Sequence, residues 1–187
     1  MLRPILALAG VALLATALPA NATLFYNSSG SIDGNDCSGQ PGLGTFPRCF
    51  VNGSPLVAKY NVNGQFDFEE SDDYYYSSID GSEFTFTGTG GSGTFTYNPG
   101  PGDPGVRYWS VKAANQYEIW WLTDGGPGAI DDAIVIPTGS PIDWETNDRG
   151  QDISHITFYN TEIPEPASLA LLSLGLLGIG FARRRRS

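Results

Sequence analysis

Polar and aromatic residues alternate along the middle of this chain, and this two-residue period constrains its fold more than any other feature. The alternation is clearest in the segment 83–87, which reads Glu-Phe-Thr-Phe-Thr, and in 94–97, which reads Thr-Phe-Thr-Tyr. A period of two places alternate side chains on opposite faces of a β-strand, so that one face is buried and the other is wet. The middle has no convincing helical period. The sequence therefore predicts an all-β domain.

Further short segments of the same kind follow one another along the middle of the chain. The other predicted strands are 23–26, 56–62, 65–68, 106–112, 116–122, 133–136 and 154–159. Turn signals such as Asn63-Gly64 and Asp124-Gly125-Gly126 lie between them. Roughly eight or nine short strands at this spacing are typical of an antiparallel β-sandwich, of which a jelly roll is one form.

The N-terminal residues 1–22 have the three parts of a secretory signal peptide. Arg3 is followed by an apolar run from Pro4 to Leu18, and Ala20-Asn21-Ala22 is a small-x-small cleavage site. A retained membrane anchor is the alternative, but the apolar run is short for one. Residues 23–162 are then the predicted extracytoplasmic domain.

Residues 163–187 carry three elements in order. They are the triplet Pro164, Glu165 and Pro166, a Leu-, Ala- and Gly-rich segment over 167–182, and a run of Arg183, Arg184, Arg185 and Arg186. As a helix, the apolar segment would span about 24 Å against a hydrocarbon core of about 30 Å, which predicts a marginal transmembrane helix. The arginines are expected to stay cytoplasmic and to act as a membrane stop signal. The two prolines hold the triplet extended and accessible outside the membrane.

This order of elements resembles the PEP-CTERM sorting domain, over Ile163 to Arg186. The resemblance implies recognition by an exosortase, a membrane-embedded transpeptidase, followed by cleavage near the motif and by release or transfer to the cell surface. It also implies a Gram-negative bacterium that makes extracellular polysaccharide and often grows in biofilms. The expected route is export through the inner membrane, a transient membrane anchor, and then a cell-surface or extracellular location. An ordinary single-span anchor is the alternative.

Charge is distributed unevenly along the chain. The part between Asp33 and Glu162 holds five of the 10 basic residues and 19 of the 20 acidic ones, so its net charge is −14. A surface this acidic repels nucleic acid and anionic lipid, and we expect no nucleic-acid partner. The same charge is compatible with simple solubility and with attraction of divalent cations.

Two features near residue 36 predict local structure. Cys37 and Cys49 are the only cysteines, and in an exported protein such a pair predicts a disulfide. Asp33, Asn35 and Asp36 place oxygen ligands around a glycine turn, which makes them candidates for a calcium site, the only cofactor suggested. The pattern lacks the twelfth-position glutamate of an EF-hand, and an Asx turn is the alternative interpretation.

No residue pattern predicts catalysis. His155, the only histidine, is interpreted as an exposed strand residue on the face opposite Ile156 and Phe158, and no Gly-x-Ser-x-Gly elbow accompanies it. Acidic pairs are common in so acidic a chain, and they occur at 69–70, 72–73 and 131–132. We therefore expect no catalytic residues and a protein that is not an enzyme. A secreted polysaccharide hydrolase is the alternative.

The tryptophans are candidates for stacking on sugar rings. They are Trp109, Trp120, Trp121 and Trp144. Neighbouring residues of a strand face opposite ways, so one of Trp120 and Trp121 is expected to point outward. The alternative is that these rings fill the core. Together with the sorting signal, the aromatic residues favour a non-catalytic surface or matrix protein associated with exopolysaccharide or biofilm.

Overall fold

The computed structural model describes residues 23–37, 44–146 and 151–160. These ranges contain antiparallel strands and one short 3-10 helix, Ile130–Asp132. The strands are β1 (Phe25–Ser28), β2 (Ile32–Asp33), β3 (Gly44–Thr45), β4 (Arg48–Val51), β5 (Ser54–Val62), β6 (Phe66–Phe68), β7 (Phe84–Thr87), β8 (Ser92–Tyr97), β9 (Tyr108–Ala113), β10 (Gln116–Thr123), β11 (Ile142–Glu145) and β12 (Ile153–Tyr159). The prediction of an all-β antiparallel fold is confirmed for these residues.

The predicted targeting segments fall outside the described residues. The signal peptide over 1–22, the sorting triplet, the helix over 167–182 and the arginine run all lie there. Within the described ranges, no helix has the length and apolar character needed to span a bilayer.

The strands form two antiparallel sheets. In the larger one the order is β1, β10, β9, β12, β5, β4 and β3, with β2 also paired to β10 and β6 also paired to β5. In the smaller one β8 lies between β11 and β7. The last described strand, β12, lies inside the larger sheet between β9 and β5, so pairing at the centre of the sheet joins distant parts of the chain.

The main core lies between the two sheets and explains the aromatic alternation. Phe84 and Phe95 project from the small sheet, and Trp109 and Phe158 project from the large one. The ring of Phe158 lies 4.3 Å from that of Phe84 and 4.9 Å from that of Phe95, centroid to centroid. Burying these rings removes a large apolar area from water, which stabilises the contact between the sheets.

The opposite face of the large sheet is also buried. A second cluster there includes Tyr108, Trp121 and Tyr159, and the segment around Cys37 and Cys49 packs against it. As a result every residue of β9 is buried, including those that a two-layered sandwich would leave exposed. Covering both faces leaves few side chains of this sheet free to contact a ligand.

Among the described residues, one predicted strand is absent, and four observed strands were not predicted. Residues 133–136 were expected to form a strand, but they form no named strand: they follow the 3-10 helix directly and contribute an isolated bridge between Leu122 and Ile134. Conversely, β2, β3, β4 and β11 were not predicted, since strands of two to four residues are too short for a convincing alternation.

Candidate functional site

A groove opens where the β1 and β10 edge of the large sheet comes beside β11 of the small sheet. Its volume is about 490 Å³, and it is lined by Tyr26, Ser92, Gly93, Thr94, Trp120, Asp143, Trp144 and Glu145. These residues come from four strands that are far apart in sequence. A concave site of this size with aromatic walls and a few polar groups is typical of small-molecule binding.

One wall of the groove combines carboxylates with hydroxyls. On β11 the buried Trp144 separates Asp143 and Glu145, which are both exposed. The register places Asp143 opposite Thr94 and Glu145 opposite Ser92. Residues opposite each other in an antiparallel pair share a face and have Cβ atoms about 5 Å apart. The wall therefore presents two acidic and two hydroxyl side chains on one face.

Aromatic rings form the other side of the groove. Tyr26 on β1 is 41% exposed, and its ring packs edge-on against Trp109 with 6.4 Å between centroids. The backbone N–H of Asp143 donates to the Tyr26 hydroxyl at 3.4 Å, which connects the two sheets across the groove. Trp120 on β10 adds a second ring that is half-buried. Both rings are wide, flat surfaces on which a ligand can stack.

The hydroxyl of Tyr26 stays protonated over the ordinary pH range. Partial burial raises the pKa of Tyr26, the hydrogen bond from the Asp143 backbone lowers it in part, and the negative charge of Asp143 raises it again. A protonated phenol keeps one O–H to donate while it accepts from the backbone.

Trp144 and Gly93 form the base of the groove. Trp144 is only 2% exposed, and a Cβ placed on Gly93 would overlap the carbonyl oxygen of Thr87 and lie 2.6 Å from the Trp144 indole ring. Glycine is therefore required at position 93, because a larger residue would collide with both β7 and the indole. The indole N–H groups of Trp120 and Trp144 have no hydrogen-bond acceptor among the described residues.

Three of the four tryptophans proposed for sugar stacking lie in the cores instead, which corrects that prediction. Trp109 and Trp144 are buried between the sheets, and Trp121 is buried in the second cluster. Trp109 and Trp121 are buried because both faces of the large sheet are covered, and Trp144 is buried because its side of β11 faces the core between the sheets. Trp120 and Trp121 do face opposite ways, as expected, and Trp120 is the one that reaches the groove.

The prediction included Trp120 and Trp144 but missed the other six groove residues, among them Tyr26, Asp143 and Glu145. A usable signal was present in the Asp-Trp-Glu alternation over 143–145, which places two acidic groups on one side of a strand and a ring on the other. Tyr26 belonged to a predicted strand, but nothing in the sequence indicates that this strand lies beside β11.

A second polar cluster is buried beneath the large sheet, on the face away from the groove. Asp36 is 1% exposed, and its carboxylate accepts hydrogen bonds from the hydroxyls of Ser110 and Thr157. His155 Nε2 lies 2.8 Å from Asp36 Oδ1. The side chain of His155 is 13% exposed, so the prediction of an exposed histidine was wrong, although the face is the one expected. Asp36 covers it.

The surroundings of Asp36 favour its ionised form. Burial by itself raises the pKa of Asp36, but the hydrogen bond and charge of His155, with the two hydroxyl donors, outweigh it and lower the pKa to about 2. Burial lowers the pKa of the neighbouring Lys112, and the charge of Asp36 raises it in part. Asp36 is therefore ionised at neutral pH.

This cluster does not have the geometry of a catalytic triad. In a triad, histidine stands between the serine and the acid. Here the carboxylate of Asp36 stands between His155 and Ser110, and the Ser110 side chain is fully buried. The arrangement instead fixes the segment that contains Asp36 and Cys37 against the sheet.

The disulfide between Cys37 and Cys49 is present, as predicted. The calcium candidates next to it are directed to different partners. Asp33 accepts a hydrogen bond from Gln116 at 2.8 Å, Asp36 is enclosed in the buried cluster, and Asn35 is exposed. Among the described residues, no group of three or more His, Cys, Asp and Glu side chains is arranged to hold a metal ion.

The acidic pairs also have local structural partners. Glu69 forms an ion pair with Lys59 at 2.7 Å, and Asp73 lies 4.0 Å from Arg48. Asp132 accepts the backbone N–H at the start of the 3-10 helix at 3.0 Å. In each pair, at least one member thus has a role in local structure.

Comparison with known proteins indicates where the chain is directed. The family model for the PEP-CTERM protein-sorting motif matches residues 162–186, which confirms the resemblance seen in the sequence. The chain carries this motif, which implies recognition by an exosortase, export, and processing at the cell envelope. No curated protein and no solved structure matches the chain.

Proposed function

We propose that this is a non-catalytic surface or extracellular-matrix protein that binds extracellular polysaccharide in the groove between its two sheets. The observation that carries the proposal is the groove itself, where exposed Tyr26 and half-buried Trp120 lie beside Asp143 and Glu145. Aromatic faces suit the apolar faces of sugar rings, and carboxylates and hydroxyls suit their hydroxyl groups.

The proposed route places this domain where polysaccharide is found. A signal peptide over 1–22 would direct it through the inner membrane of a Gram-negative bacterium, and the helix over 167–182 would hold it there transiently. Cleavage near Pro164–Pro166 would then free the domain for the cell surface or the surrounding matrix. The sorting motif at 162–186 supports this route.

The arrangement of the groove carboxylates favours binding over hydrolysis. Glycosidases place two carboxyl groups on either side of the scissile bond. Asp143 and Glu145 project from the same face of one short strand, so both belong to a single wall. A sugar chain in the groove would contact them from one side.

Retention of the protein on polysaccharide purified from its own host tests the proposal. Tyr26→Ala removes a groove ring, whereas Phe25→Ala removes a ring of comparable exposure, 36%, from the neighbouring residue that does not line the groove. We expect Tyr26→Ala to weaken binding roughly threefold to tenfold, since a ring contact contributes about 0.5–1.5 kcal/mol. Phe25→Ala should bind as the unsubstituted protein does.

Absence of retention for the unsubstituted protein would contradict the proposal. An equal loss of binding in Tyr26→Ala and Phe25→Ala would also contradict it. Release of reducing ends from the polysaccharide, abolished by Asp143→Asn, would instead support the alternative of a secreted hydrolase.

A further inference from the structure

The groove is acidic, and among the described residues no basic side chain lines it. Neither Asp143 nor Glu145 has an ion-pair partner among the described residues. Lys59 pairs with Glu69, and Arg48 lies beside Asp73.

The rest of the domain strengthens this negative potential. The part between Asp33 and Glu162 has a net charge of −14, the balance of five basic and 19 acidic residues. A concave site with one sign of charge concentrates counter-ions and repels ions of its own sign. A polysaccharide rich in uronate, sulfate or phosphate would therefore be repelled from the groove.

The two carboxylates are spaced to contact successive groups of one ligand. Asp143 and Glu145 are two positions apart on β11 and share a face. At about 3.4 Å per residue, their Cα atoms are about 7 Å apart. Two groups along an extended sugar chain can therefore each reach a carboxylate, while the rings of Tyr26 and Trp120 lie beside the sugar planes.

We propose that the ligand of this groove is a polysaccharide with free amino groups, such as a partly deacetylated polymer of hexosamine. This inference rests on the proposed function. Protonated amines form charge-assisted hydrogen bonds with Asp143 and Glu145, and the sugar rings stack on the aromatic side. Acetylation removes the positive charge while leaving the sugar backbone unchanged.

Binding of three soluble oligosaccharides by the full chain, measured calorimetrically at mildly acidic pH, tests the inference. The probes are a glucosamine oligomer, its fully N-acetylated counterpart and a glucuronate oligomer. We expect the amine form to bind about tenfold more tightly than the acetylated form, a preference that two exposed ion pairs can supply. Raising the salt concentration should reduce this preference, because exposed charges are screened.

Two matched double variants distinguish the effect of the groove carboxylates on binding from the effect of the net charge of the domain. The double variant Asp143→Asn with Glu145→Gln should lose the preference for the amine form, while Asp72→Asn with Asp131→Asn removes two exposed acidic charges elsewhere and should keep it. Tighter binding of the acetylated or glucuronate oligomer would overturn the inference and leave polysaccharide binding intact. Loss of the preference in both double variants would also overturn it. A protein that binds neither these probes nor the host polysaccharide would overturn both proposals.

Discussion

Replacing Asp36 by asparagine should destabilise the protein in a manner that depends on pH. The substitution keeps the shape of the side chain and removes its charge. The carboxylate now accepts from Ser110 and Thr157 and pairs with His155, whereas an amide would place N–H donors against groups that also donate. Because the site is buried, water cannot replace the lost interactions.

The magnitude follows from the pKa of Asp36. Burial by itself raises the pKa of Asp36. The hydrogen bonds and the charge around the carboxylate outweigh burial and lower this pKa to about 2, compared with an ordinary value of 3.8. At about 1.4 kcal/mol per pKa unit, this difference corresponds to about 2.5 kcal/mol of stability. Since the folded pKa is the lower one, the stabilisation is fully present above about pH 4 and is lost as the pH falls through about 2.

Urea denaturation followed by tryptophan fluorescence, repeated from neutral pH to about pH 2, measures this effect. The free energy of unfolding of Asp36→Asn should lie about 2.5 kcal/mol below that of the unsubstituted protein at neutral pH, and the difference should shrink below about pH 4. Asp131→Asn, at an exposed position, provides the control and should change little. A difference that does not vary with pH, or an Asp36→Asn protein of unchanged stability, would refute the reasoning.

Further substitutions test other parts of the molecule. Replacing both cysteines by alanine opens a loop closed over 12 positions, so the free energy of unfolding should fall by about 3 kcal/mol, with no further effect of reductant. Gly93→Ala should lower it by about 1–3 kcal/mol, because the added methyl group meets the Thr87 carbonyl oxygen and the Trp144 indole. Gly125→Ala, where the same methyl group meets open space, is its control. Joint replacement of Pro164 and Pro166 by alanine should leave C-terminal peptides on the exported protein, detected by mass spectrometry, that the unsubstituted protein lacks.

Features that depend on residues close together in the sequence were predictable from the sequence. The all-β class follows from a period of two, which is a property of each strand taken alone. The sorting motif is a linear order of elements, and the family match at 162–186 reads the same order. The disulfide was predictable because an exported chain with two cysteines has only one internal pairing.

The accessibility of individual side chains was decided by the tertiary structure. Alternation correctly places Trp120 and Trp121 on opposite faces, but it carries no information about what covers each face. The segment containing Cys37 covers one face of the large sheet and the small sheet covers the other, and for this reason Trp109 and Trp121 are buried. The segment containing Cys37 also buries His155, which was expected to be exposed. His155 instead pairs with Asp36, which lies 119 positions away in the chain.

The groove likewise exists only in the folded chain. Tyr26, Trp120 and Asp143 belong to three strands, and β11 lies in a different sheet from the other two. The sequence determined that aromatic and acidic side chains would alternate along strands, because that pattern is local. Which of them meet at one edge was determined by the packing of the two sheets, because burial of the shared aromatic core sets how the sheet edges come together.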